Sequence, residues 1–470
     1  MILNTSSDTL LGHITSGRAR IGVIGLGYVG LPLAVQFAAK HPTVGFDVDS
    51  NRVQTLNDGR SHIGDIASPV IEALVREGRF GATTDFANLR DCDCIVVCVP
   101  TPLTAGKEPD ISYIVAAGEM IAKNLRPGQL IVLESTTYPG TTDDVFLPML
   151  EKTGLELDLD FHVAFSPERI DPGNRDFEIA DIPKVVGGCS EQSTEIAAAL
   201  YERIFKTVHR VSSSRVAEMT KLLENTFRAV NIGLANEMAL LCRKMGINNR
   251  EVIEAANTKP FGFMAFYPGA GVGGHCIPLD PLYLSWKAKH YGISSRFINV
   301  ADEVNSAMPE HVVRLVVDGL NAFGKSLRGA RVLMLGVSYK KNVADVRHSP
   351  ALVVLDRLHA DGAIVSYHDP FVSKLDHERT DVPERTPIVR GHQSNRRARG
   401  ESKAAVNGRR RSDPLESIAI TDEMLRKADC VVVTTAHDSI DYERVARLAP
   451  LVVDMCYVVP TGKKARIISL

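Results

Sequence analysis

The sequence predicts an α/β protein with two Rossmann-like, doubly wound lobes joined by a central helical domain. Short apolar runs alternate with amphipathic stretches from residue 21 to 210, as βαβ units require, and the same alternation returns after residue 330. A long helical pattern without proline separates the two regions. The chain has 470 residues, enough for about three domains of roughly 150 residues each.

The first α/β region contains six apolar, β-rich runs that we predict as strands. Near-continuous apolar strands separated by helices are typical of a parallel sheet that helices cover on both faces. The runs are 21–24, 44–48, 94–99, 130–133, 162–165 and 184–186. The second α/β region contains four such runs, which are 332–337, 363–367, 430–434 and 451–454.

The central helix is predicted over residues 215–245, because apolar residues recur there every three or four positions, and Gly246 is expected to end it. On the opposite face, Lys221, Asn225 and Arg228 follow the spacing i, i+4 and i+7. These three residues either form a solvated polar face or point at a reacting centre. The apolar positions are Met219, Leu222, Leu223, Phe227, Val230, Leu234, Met238 and Leu241.

A glycine-rich turn, Gly25-Leu26-Gly27-Tyr28-Val29-Gly30, follows the first predicted strand and precedes a helical pattern. Its glycines permit a tight turn and the close approach of a pyrophosphate, which a helix N-terminus attracts. Asp47 ends the next strand, about 20 residues on, where a carboxylate accepts hydrogen bonds from a ribose diol. Because a carboxylate repels a 2′-phosphate, the motif predicts binding of NAD rather than NADP. A turn in which the glycines only serve packing is the alternative.

Cys276 lies in a second glycine-rich segment, Gly271-Val272-Gly273-Gly274-His275-Cys276. Most isolated cysteines are small, buried hydrophobic residues. Glycines crowded around this thiol favour a nucleophile that a substrate can approach, activated by the neighbouring histidine or by a distant lysine. Glu168 and Arg169 follow the predicted strand 162–165, at the edge where open α/β sheets bind ligands, although a lone glutamate there is usually a surface residue.

The composition excludes several other classes of protein. Hydrophobic residues make up 44% of the chain, charged residues 23%, and the net charge is −2, so a wholly disordered chain and a basic, nucleic-acid-binding body are both disfavoured. No apolar stretch approaches the ~18 residues of a membrane span, and residues 1–20 lack the apolar core of a secretory signal. Eight cysteines are too sparse for a disulfide framework. We therefore expect a cytoplasmic protein.

Two local features have structural rather than catalytic interpretations. Cys92, Cys94 and Cys98 occupy alternate positions of one predicted strand and are expected to share one face. Neither a paired C-x-x-C nor a histidine cluster accompanies them, so we expect strand packing and no metal site. Residues 390–412 hold eight Lys and Arg against one acid, Glu401, which predicts a basic, disordered insertion. A polyanion-binding site in that segment is the less favoured alternative.

Taken together, these residues resemble the nucleotide-sugar 6-dehydrogenases, the family of the UDP-glucose and UDP-N-acetylhexosamine dehydrogenases. The resemblance covers residues 20–385 and resumes over 415–455. The motifs that carry it are the Gly25 to Gly30 turn, Val99-Pro100-Thr101-Pro102, Glu134-Ser135-Thr136, Ser166 to Arg169, the helix with Lys221, Gly273-Gly274-His275-Cys276, and Gly336 to Lys341 with Arg347.

The resemblance implies an N-terminal tail at 1–20, an NAD-binding domain at 21–210, a central helical domain with a catalytic cysteine at 211–323 and a UDP-sugar-binding domain at 324–470. It implies a four-electron oxidation in which a sugar C6 alcohol becomes a carboxylate and two NAD molecules are reduced. Cys276 would capture the intermediate aldehyde as a thiohemiacetal, and its oxidation gives a thioester that water hydrolyses. We also expect a homodimer built on the central helices, and we expect neither a membrane nor a nucleic-acid partner.

Roles for single residues come from the same resemblance. Lys221 is expected to stabilise an oxyanion with Asn225 beside it, Asp280 to assist proton transfer, and Glu168 to activate the hydrolytic water. Thr136 is expected to help hold that water and the nicotinamide. The cofactor-binding positions are Gly25, Gly27, Tyr28, Val29, Gly30, Asp47, Arg52, Thr101, Thr136 and Arg347. The UDP-sugar positions are Arg169, Ile170, Lys221, Asn225, Arg228, Tyr267, Gly271, Tyr339 and Lys340.

The substrate expected from the resemblance is a UDP-N-acetylhexosamine. Glucose-type members carry Gly-Gly-Tyr-Cys, whereas His275 and the segment 277–280 resemble the N-acetylhexosamine type. Segments 258–263 and 283–288 look closest to UDP-N-acetylglucosamine dehydrogenases, and UDP-N-acetylmannosamine is the alternative substrate.

One departure from the family concerns the C-terminal region, where Asp454-Met455-Cys456-Tyr457 replaces Asp-Thr-Arg-Asn, so any role of that arginine is absent. A non-catalytic, NAD-sensing scaffold is the alternative function from a different class. The joint presence of Lys221, Glu168, Cys276 and Asp280 argues against it.

Overall fold

The computed structural model describes residues 5–64, 66–104, 106–169, 178–375 and 415–470. The chain divides into two compact units, of which the first contains Met1–Thr226 and Leu279–Ser295 and the second Phe227–Pro278 and Arg296–Leu470. The predicted insertion 390–412 lies outside the described residues. The predicted domain limits at residues 211 and 324 stay predictions.

The described residues contain fifteen strands and fourteen α-helices. The strands are β1 (Ile21–Ile24), β2 (Thr43–Phe46), β3 (Phe80–Thr83), β4 (Cys94–Val97), β5 (Gln129–Leu133), β6 (Phe161–Phe165), β7 (Lys184–Gly188), β8 (Val208–Arg210), β9 (Arg331–Leu335), β10 (Ile364–His368), β11 (Lys374–Leu375), β12 (Leu415–Glu416), β13 (Cys430–Val433), β14 (Leu451–Asp454) and β15 (Arg466–Ser469). The helices are α1 (Thr5–Thr15), α2 (Gly30–Ala38), α3 (Ser50–Asn57), α4 (Ser68–Arg76), α5 (Ser112–Asn124), α6 (Leu147–Glu151), α7 (Glu191–Tyr201), α8 (Ser214–Met245), α9 (Asn249–Asn257), α10 (Asp280–Lys289), α11 (Arg296–Ala322), α12 (Pro350–Ala360), α13 (Asp422–Lys427) and α14 (Tyr442–Leu448).

The first unit is built on an eight-stranded sheet with the order β3-β2-β1-β4-β5-β6-β7-β8. Its neighbouring strands are parallel except β6 and β7, which are antiparallel. The chain builds outward from β1 in both directions, so the crevice at the carboxyl ends of β1 and β4 is the switch point where such sheets bind ligands. The predicted doubly wound α/β fold is confirmed.

All six strands predicted for this unit are present, but the sequence pattern missed β3 and β8. In β3 only Phe80 is buried, and β8 has no buried residue. Strands at the two edges of the sheet lack the apolar run by which buried strands are recognised.

The segment assigned to an N-terminal tail contains a helix over part of its described residues, because α1 spans Thr5–Thr15. Leu10 and Ile14 are buried in the same core as Ile196 and Leu200 of α7. The segment is mostly polar, so its few apolar residues at helical spacing did not predict a helix. A short helix of this kind becomes stable only when its apolar side packs against another element.

Strand β4 separates two hydrophobic cores. Cys94, Val96 and Cys98 belong to the core with α2 and α7, whereas Ile95 and Val97 belong to the core on the other face. The prediction that Cys92 shares the face of Cys94 and Cys98 is wrong, because Cys92 packs in that second core. The strand begins only at Cys94, so the alternation of strand side chains does not extend back to Cys92.

The second unit contains a five-stranded parallel sheet with the order β10-β9-β13-β14-β15. Helices α11 and α12 cover it, and their core includes Val316, Val354 and Val432. The four predicted strands are confirmed, although β9 ends before Gly336, whose φ of +81° breaks the strand. The pattern missed β15, which has two apolar residues and no fully buried one.

Helix α8 confirms the predicted central helix and ends just before Gly246, whose φ is +71°. Its apolar side is mostly exposed, and of the eight apolar positions used for the prediction only Leu222 is fully buried. In contrast, Lys221 and Asn225 on the polar side are buried. The solvated interpretation of these two residues is therefore wrong.

Candidate active site

The Gly25 to Gly30 turn joins β1 to α2 and forms the first part of the site. Gly25 has a φ of +88°, and a Cβ atom there would lie 2.6 Å from the carbonyl oxygen of Cys98. A Cβ at Gly30 would lie 1.8 Å from the carbonyl oxygen of Gly25. At Gly27, in contrast, a Cβ would meet no atom within 4 Å. Gly25 and Gly30 therefore close the turn, and Gly27 leaves room in front of the α2 N-terminus for a phosphate.

Asp47 follows β2 and contacts this turn. Its carboxylate accepts hydrogen bonds from the backbone N–H groups of Leu26 at 2.9 Å and Asp49 at 3.0 Å, and from the Arg52 guanidinium at 2.8 Å. Burial opposes its ionisation, but these hydrogen bonds outweigh burial, and the pKa of Asp47 lies below its ordinary value. An ionised carboxylate beside the turn fits the ribose of NAD and disfavours a 2′-phosphate.

Thr101 and Thr136 follow β4 and β5, so both lie at the carboxyl edge of the sheet, where the nicotinamide half of a dinucleotide is expected. Thr101 is buried, Thr136 is half-buried, and Tyr28 in the glycine turn is exposed. The first unit thus carries most of the predicted cofactor positions on one sheet edge. Their residues fit NAD.

Lys221, Asn225 and Asp280 form a buried polar group in the first unit. The Asn225 amide donates a hydrogen bond of 2.5 Å to the carboxylate of Asp280, at the start of α10. Burial raises the pKa of Asp280 to about 6, and the Lys221 ammonium and the Asn225 amide offset burial only in part. A carboxylate with this pKa exchanges a proton readily near neutral pH.

Glu168 lies just after β6 and is linked to the same helix. The Lys221 ammonium donates a hydrogen bond of 2.5 Å to the backbone carbonyl of Glu168. The next residue, Arg169, forms an ion pair of 2.7 Å with Glu224 of α8. The structure therefore brings the predicted residues Lys221, Asn225, Asp280, Glu168 and Arg169 together, whereas Ile170 lies outside the described residues.

Three residues of this region were not predicted from the sequence as part of the site. Lys184, at the start of β7, forms a buried ion pair of 2.8 Å with Glu134, which follows β5. The Tyr201 hydroxyl donates to the other oxygen of Glu134. The sequence signal that could have indicated this ion pair is a lysine and a glutamate at the ends of apolar strands, because an unpaired charge is costly to bury there.

The cysteine segment lies in the second unit and packs on residues of that unit. A Cβ at Gly273 would lie 2.7 Å from the Tyr339 Cβ, and one at Gly274 would lie 2.9 Å from the Tyr339 ring. The backbone N–H of Gly274 donates to the Arg347 carbonyl at 3.2 Å. The glycines are therefore needed for close packing, and they bring the Cys276 segment next to the segment of Tyr339 and Arg347.

Cys276 is half-buried, as are Cys189 and Cys456, whereas the other five cysteines are buried. None of the eight cysteines forms a disulfide. Burial raises the pKa of the Cys92, Cys94, Cys98, Cys189, Cys430 and Cys456 thiols. Those six thiols are poor nucleophiles, because the thiolate is the reactive form.

The remaining predicted residues of the second unit lie on several elements. Arg228 and Tyr267 are exposed, and the Arg347 guanidinium pairs with Asp345 at 2.6 Å. Gly271 has a φ of +130°, and a Cβ there would lie 3.1 Å from Pro350. Lys340 follows Tyr339, and its carbonyl accepts a hydrogen bond from the Ser338 hydroxyl at 2.9 Å.

The turn, the acidic residue after β2 and the doubly wound sheet define an NAD-binding oxidoreductase of the dehydrogenase class. Within the described part of the chain, no group of three or more His, Cys, Asp or Glu side chains could hold a metal ion. Over the same residues, no helix has both the length and the hydrophobicity that a membrane span requires.

Comparison with known proteins identifies the family. Three family models match the chain, all from the UDP-glucose/GDP-mannose dehydrogenase family: its NAD binding domain at residues 19–205, its central domain at 215–307 and its UDP binding domain at 333–461. The chain belongs to this family and is a nucleotide-sugar dehydrogenase. The resemblance stated from the motifs is confirmed.

Individual relatives cover most of the chain. A UDP-N-acetyl-D-glucosamine 6-dehydrogenase from Pseudomonas aeruginosa is 39% identical over 78% of this chain and 87% of that protein. A UDP-N-acetyl-D-mannosamine dehydrogenase from Pyrococcus horikoshii is 38% identical over 75% of this chain and 84% of that protein. The solved structure of UDP-D-ManNAc dehydrogenase from Pyrococcus horikoshii matches with a TM-score of 0.80 at 32% identity, covering 96% of this chain and 99% of the other.

Proposed function

We propose that the protein oxidises the C6 alcohol of UDP-N-acetylglucosamine to the carboxylate, using two NAD molecules and a covalent step on Cys276. The observation that carries the proposal is the buried group of Lys221, Asn225 and Asp280 beside Glu168. Burying a cation, an amide and two carboxylates together is costly, and proton transfer with oxyanion stabilisation is a function that uses all four.

The first steps use the residues of the first unit. NAD, when bound, accepts a hydride from the sugar C6 in each of the two oxidations. The Lys221 ammonium stabilises the negative charge on the C6 oxygen, and the Asn225 amide assists it. Asp280 takes up the hydroxyl proton, directly or through a water, which its pKa of about 6 permits at neutral pH.

The later steps use Cys276 and Glu168. The Cys276 thiolate bonds to the aldehyde carbon, and the carbonyl oxygen takes up a proton to give a thiohemiacetal. This intermediate loses a second hydride together with its hydroxyl proton and becomes a thioester. Glu168 then accepts a proton from water while the water oxygen bonds to the thioester carbon. The C–S bond breaks, and its electron pair returns to sulfur as the thiolate. One alcohol, one water and two NAD thus give one carboxylate, two NADH and three protons.

We assign the UDP-sugar to the predicted substrate-binding positions that have no catalytic role. Thr136 is assigned to the nicotinamide of NAD. Cationic side chains suit a diphosphate, which needs charge-assisted hydrogen bonds. The substrate-binding positions are Arg169, Ile170, Arg228, Tyr267, Gly271, Tyr339 and Lys340. We place the reaction in the cytoplasm, in keeping with eight cysteines of which none forms a disulfide. We also place it in a homodimer that uses α8.

The choice of sugar is tested by NADH formation with UDP-glucose and the UDP-linked N-acetyl forms of glucosamine, mannosamine and galactosamine. We expect the highest kcat/KM with UDP-N-acetylglucosamine and two NADH for each sugar consumed. A higher kcat/KM with UDP-N-acetylmannosamine, the sugar nucleotide in the name of the Pyrococcus relative, would replace the proposed substrate. Absence of NADH with every sugar would favour the scaffold alternative.

The covalent step is tested with Cys276→Ala. We expect uronate formation to fall by at least ~10³-fold, as for the loss of other enzymic nucleophiles, with NAD and UDP-sugar affinity retained. The measurements are product analysis by mass spectrometry and titration calorimetry. Cys189→Ala, which removes another half-buried thiol, is the matched control and should keep full turnover. Full turnover by the Cys276 variant would refute the covalent mechanism.

A further inference from the structure

Lys184 is a buried cation that the proposed reaction does not yet use. It starts β7, and its side chain is 3% exposed. The ammonium lies between two carboxylates, 2.8 Å from a Glu134 oxygen and 3.6 Å from Oε2 of Glu168. One cation therefore connects a residue of no assigned role with the proposed base of the hydrolysis step.

The position of this ammonium is set by several neighbours. The Tyr201 hydroxyl donates to Glu134, which holds the carboxylate that Lys184 contacts. The ammonium also lies 5.2 Å from the Tyr201 ring centroid and 5.4 Å from that of Phe205. Burial opposes the charge on Lys184, but Glu134 and Glu168 outweigh burial and hold its pKa above the ordinary value. Lys184 is therefore a cation with a defined position.

Glu168 is anchored from two further directions. Its backbone carbonyl accepts the hydrogen bond from Lys221, and its Oε1 accepts a hydrogen bond of 2.7 Å from the backbone N–H of Arg169. Lys184 faces Oε2. The backbone carbonyl and Oε1 thus each accept a hydrogen bond, whereas Oε2 faces the Lys184 ammonium across an ion pair.

We propose that Lys184 is a positioning residue that orients the Glu168 carboxylate for hydrolysis of the thioester, and that Glu134 holds Lys184 in place. The inference rests on the proposed function, because it assumes the thioester on Cys276 and the role of Glu168 as base. A carboxylate in this setting removes a proton from water only while it is ionised.

The charged and titratable groups around Glu168 come from several elements. Lys184 comes from β7 and Lys221 from α8, whereas Glu134 and Cys98 follow β5 and β4. The Arg169 guanidinium is directed to Glu224. Burial raises the pKa of the Cys98 thiol, so this thiol stays neutral. The charged groups that surround Glu168 are therefore the Lys184 and Lys221 cations and the Glu134 anion.

The test changes these two charges separately. In Lys184→Met, we expect steady-state turnover to fall by roughly 10- to 100-fold and the thioester to accumulate on Cys276. This loss is smaller than the roughly 10²- to 10⁴-fold that a general base contributes, because the base is still present but is no longer held in position. The acidic limb of the hydrolysis pH profile should move to higher pH, because a carboxylate without its neighbouring cation is protonated more easily. In Glu134→Gln, the limb should move to lower pH, because a neighbouring negative charge is removed. Acid quenching followed by intact-protein mass spectrometry measures the adduct.

Two further variants keep the test decisive. Lys184→Arg keeps the charge and should keep the position of the acidic limb even if turnover declines. If Lys184→Met fails to fold, Glu134→Gln, which should move the limb to lower pH, carries the test together with Lys184→Arg. Lys206→Met removes an exposed lysine paired with Asp181 in the same unit and should leave every readout unchanged.

Two failures are distinguishable. If the unaltered protein does not yield two NADH per sugar, the proposed function fails, and this inference fails with it. If the unaltered protein does so, but Lys184→Met and Glu134→Gln lower only thermal stability, with no adduct and no opposite movement of the acidic limb, Lys184 is a structural residue and the inference alone is overturned.

Discussion

Asp280 combines two opposing effects on one side chain. Burial raises its pKa to about 6, while Lys221 and Asn225 favour the ionised form. The net result is a carboxylate that loses its proton just below neutral pH instead of near pH 4. Such a group can accept the proton of an alcohol and release it again in the same cycle.

The pH dependence of the oxidation steps follows from this pKa. Above pH 6 Asp280 is mostly ionised and can act as a base, so the rate of NADH formation before hydrolysis should decline as the pH falls below about 6. Asp280→Asn should lower this rate by roughly 10²-fold and remove that decline, because no titrating group remains. Stopped-flow measurements from pH 5 to 8 provide the check.

The control for this prediction is Asp91→Asn, which changes an exposed acid of the same unit. It should leave both the rate and its pH dependence unchanged. A decline below pH 6 that persists in Asp280→Asn would assign the titration to another group.

The turn between β1 and α2 shows that glycines in one motif have different physical roles. Gly25 and Gly30 are required by the protein's own packing, since any side chain there would collide with backbone atoms. Gly27 has free space on its Cβ side within the protein. We therefore expect Gly27 to admit the cofactor, as the motif implies.

We expect Gly27→Ala to fold with nearly unchanged stability and to bind NAD at least ~10-fold more weakly, because the added methyl group occupies the path of the pyrophosphate. Calorimetric titration with NAD and thermal unfolding measure the two effects. Gly81→Ala, another glycine whose Cβ would meet nothing within 4 Å, is the control. Unaltered NAD affinity in Gly27→Ala would show that the pyrophosphate does not approach this glycine.

Helix α8 has its functional residues on the buried side and its apolar residues on the exposed side. The apolar stripe of α8 comprises Met219, Leu223, Phe227, Leu234, Met238 and Leu241, all of which are exposed. Large contiguous apolar surfaces on a folded protein usually mark sites of association. The stripe is therefore the surface on which the proposed homodimer depends.

At the scale of the whole molecule, both units use the same backbone arrangement. Gly336 follows β9 with a φ of +81°, and Asp369 follows β10 and accepts hydrogen bonds from the backbone N–H groups of Val337 at 2.8 Å and Ser338 at 3.1 Å. Gly25 and Asp47 have the corresponding places in the first unit. Although the second unit lacks the G-x-G-x-x-G pattern, its acid after the second strand organises the turn in the same way.

The assembly of the molecule can be tested on α8. We expect the unaltered protein to be a dimer by light scattering coupled to size exclusion, and the double variant Leu234→Glu with Met238→Glu to shift the population to monomer, because charges on an apolar interface are costly to bury. Leu159→Glu changes an exposed leucine outside α8 and should leave the dimer intact. A dimer that survives the double variant would exclude this part of the stripe from the interface.

The sequence by itself determined the α/β class, most strands of both sheets, the dinucleotide turn with Asp47, and the extent of α8. These features depend on local periodicity and on glycine at fixed spacing, which residues close in sequence display directly. The motifs in the sequence also indicated the nucleotide-sugar dehydrogenase family and singled out Cys276 as the candidate nucleophile.

The tertiary structure alone decided which face of α8 is buried, where Cys92 packs, and that Lys184 lies between Glu134 and Glu168. A helical period predicts two faces, but the contacts of each face depend on the elements that pack against it. Lys184 and its partners come from separate strands, and only the sheet brings them within a few ångströms. For the same reason, the sequence pattern did not predict the edge strands β3, β8 and β15 or helix α1. These elements are stabilised by strand pairing and by packing on the core, which the local pattern does not show.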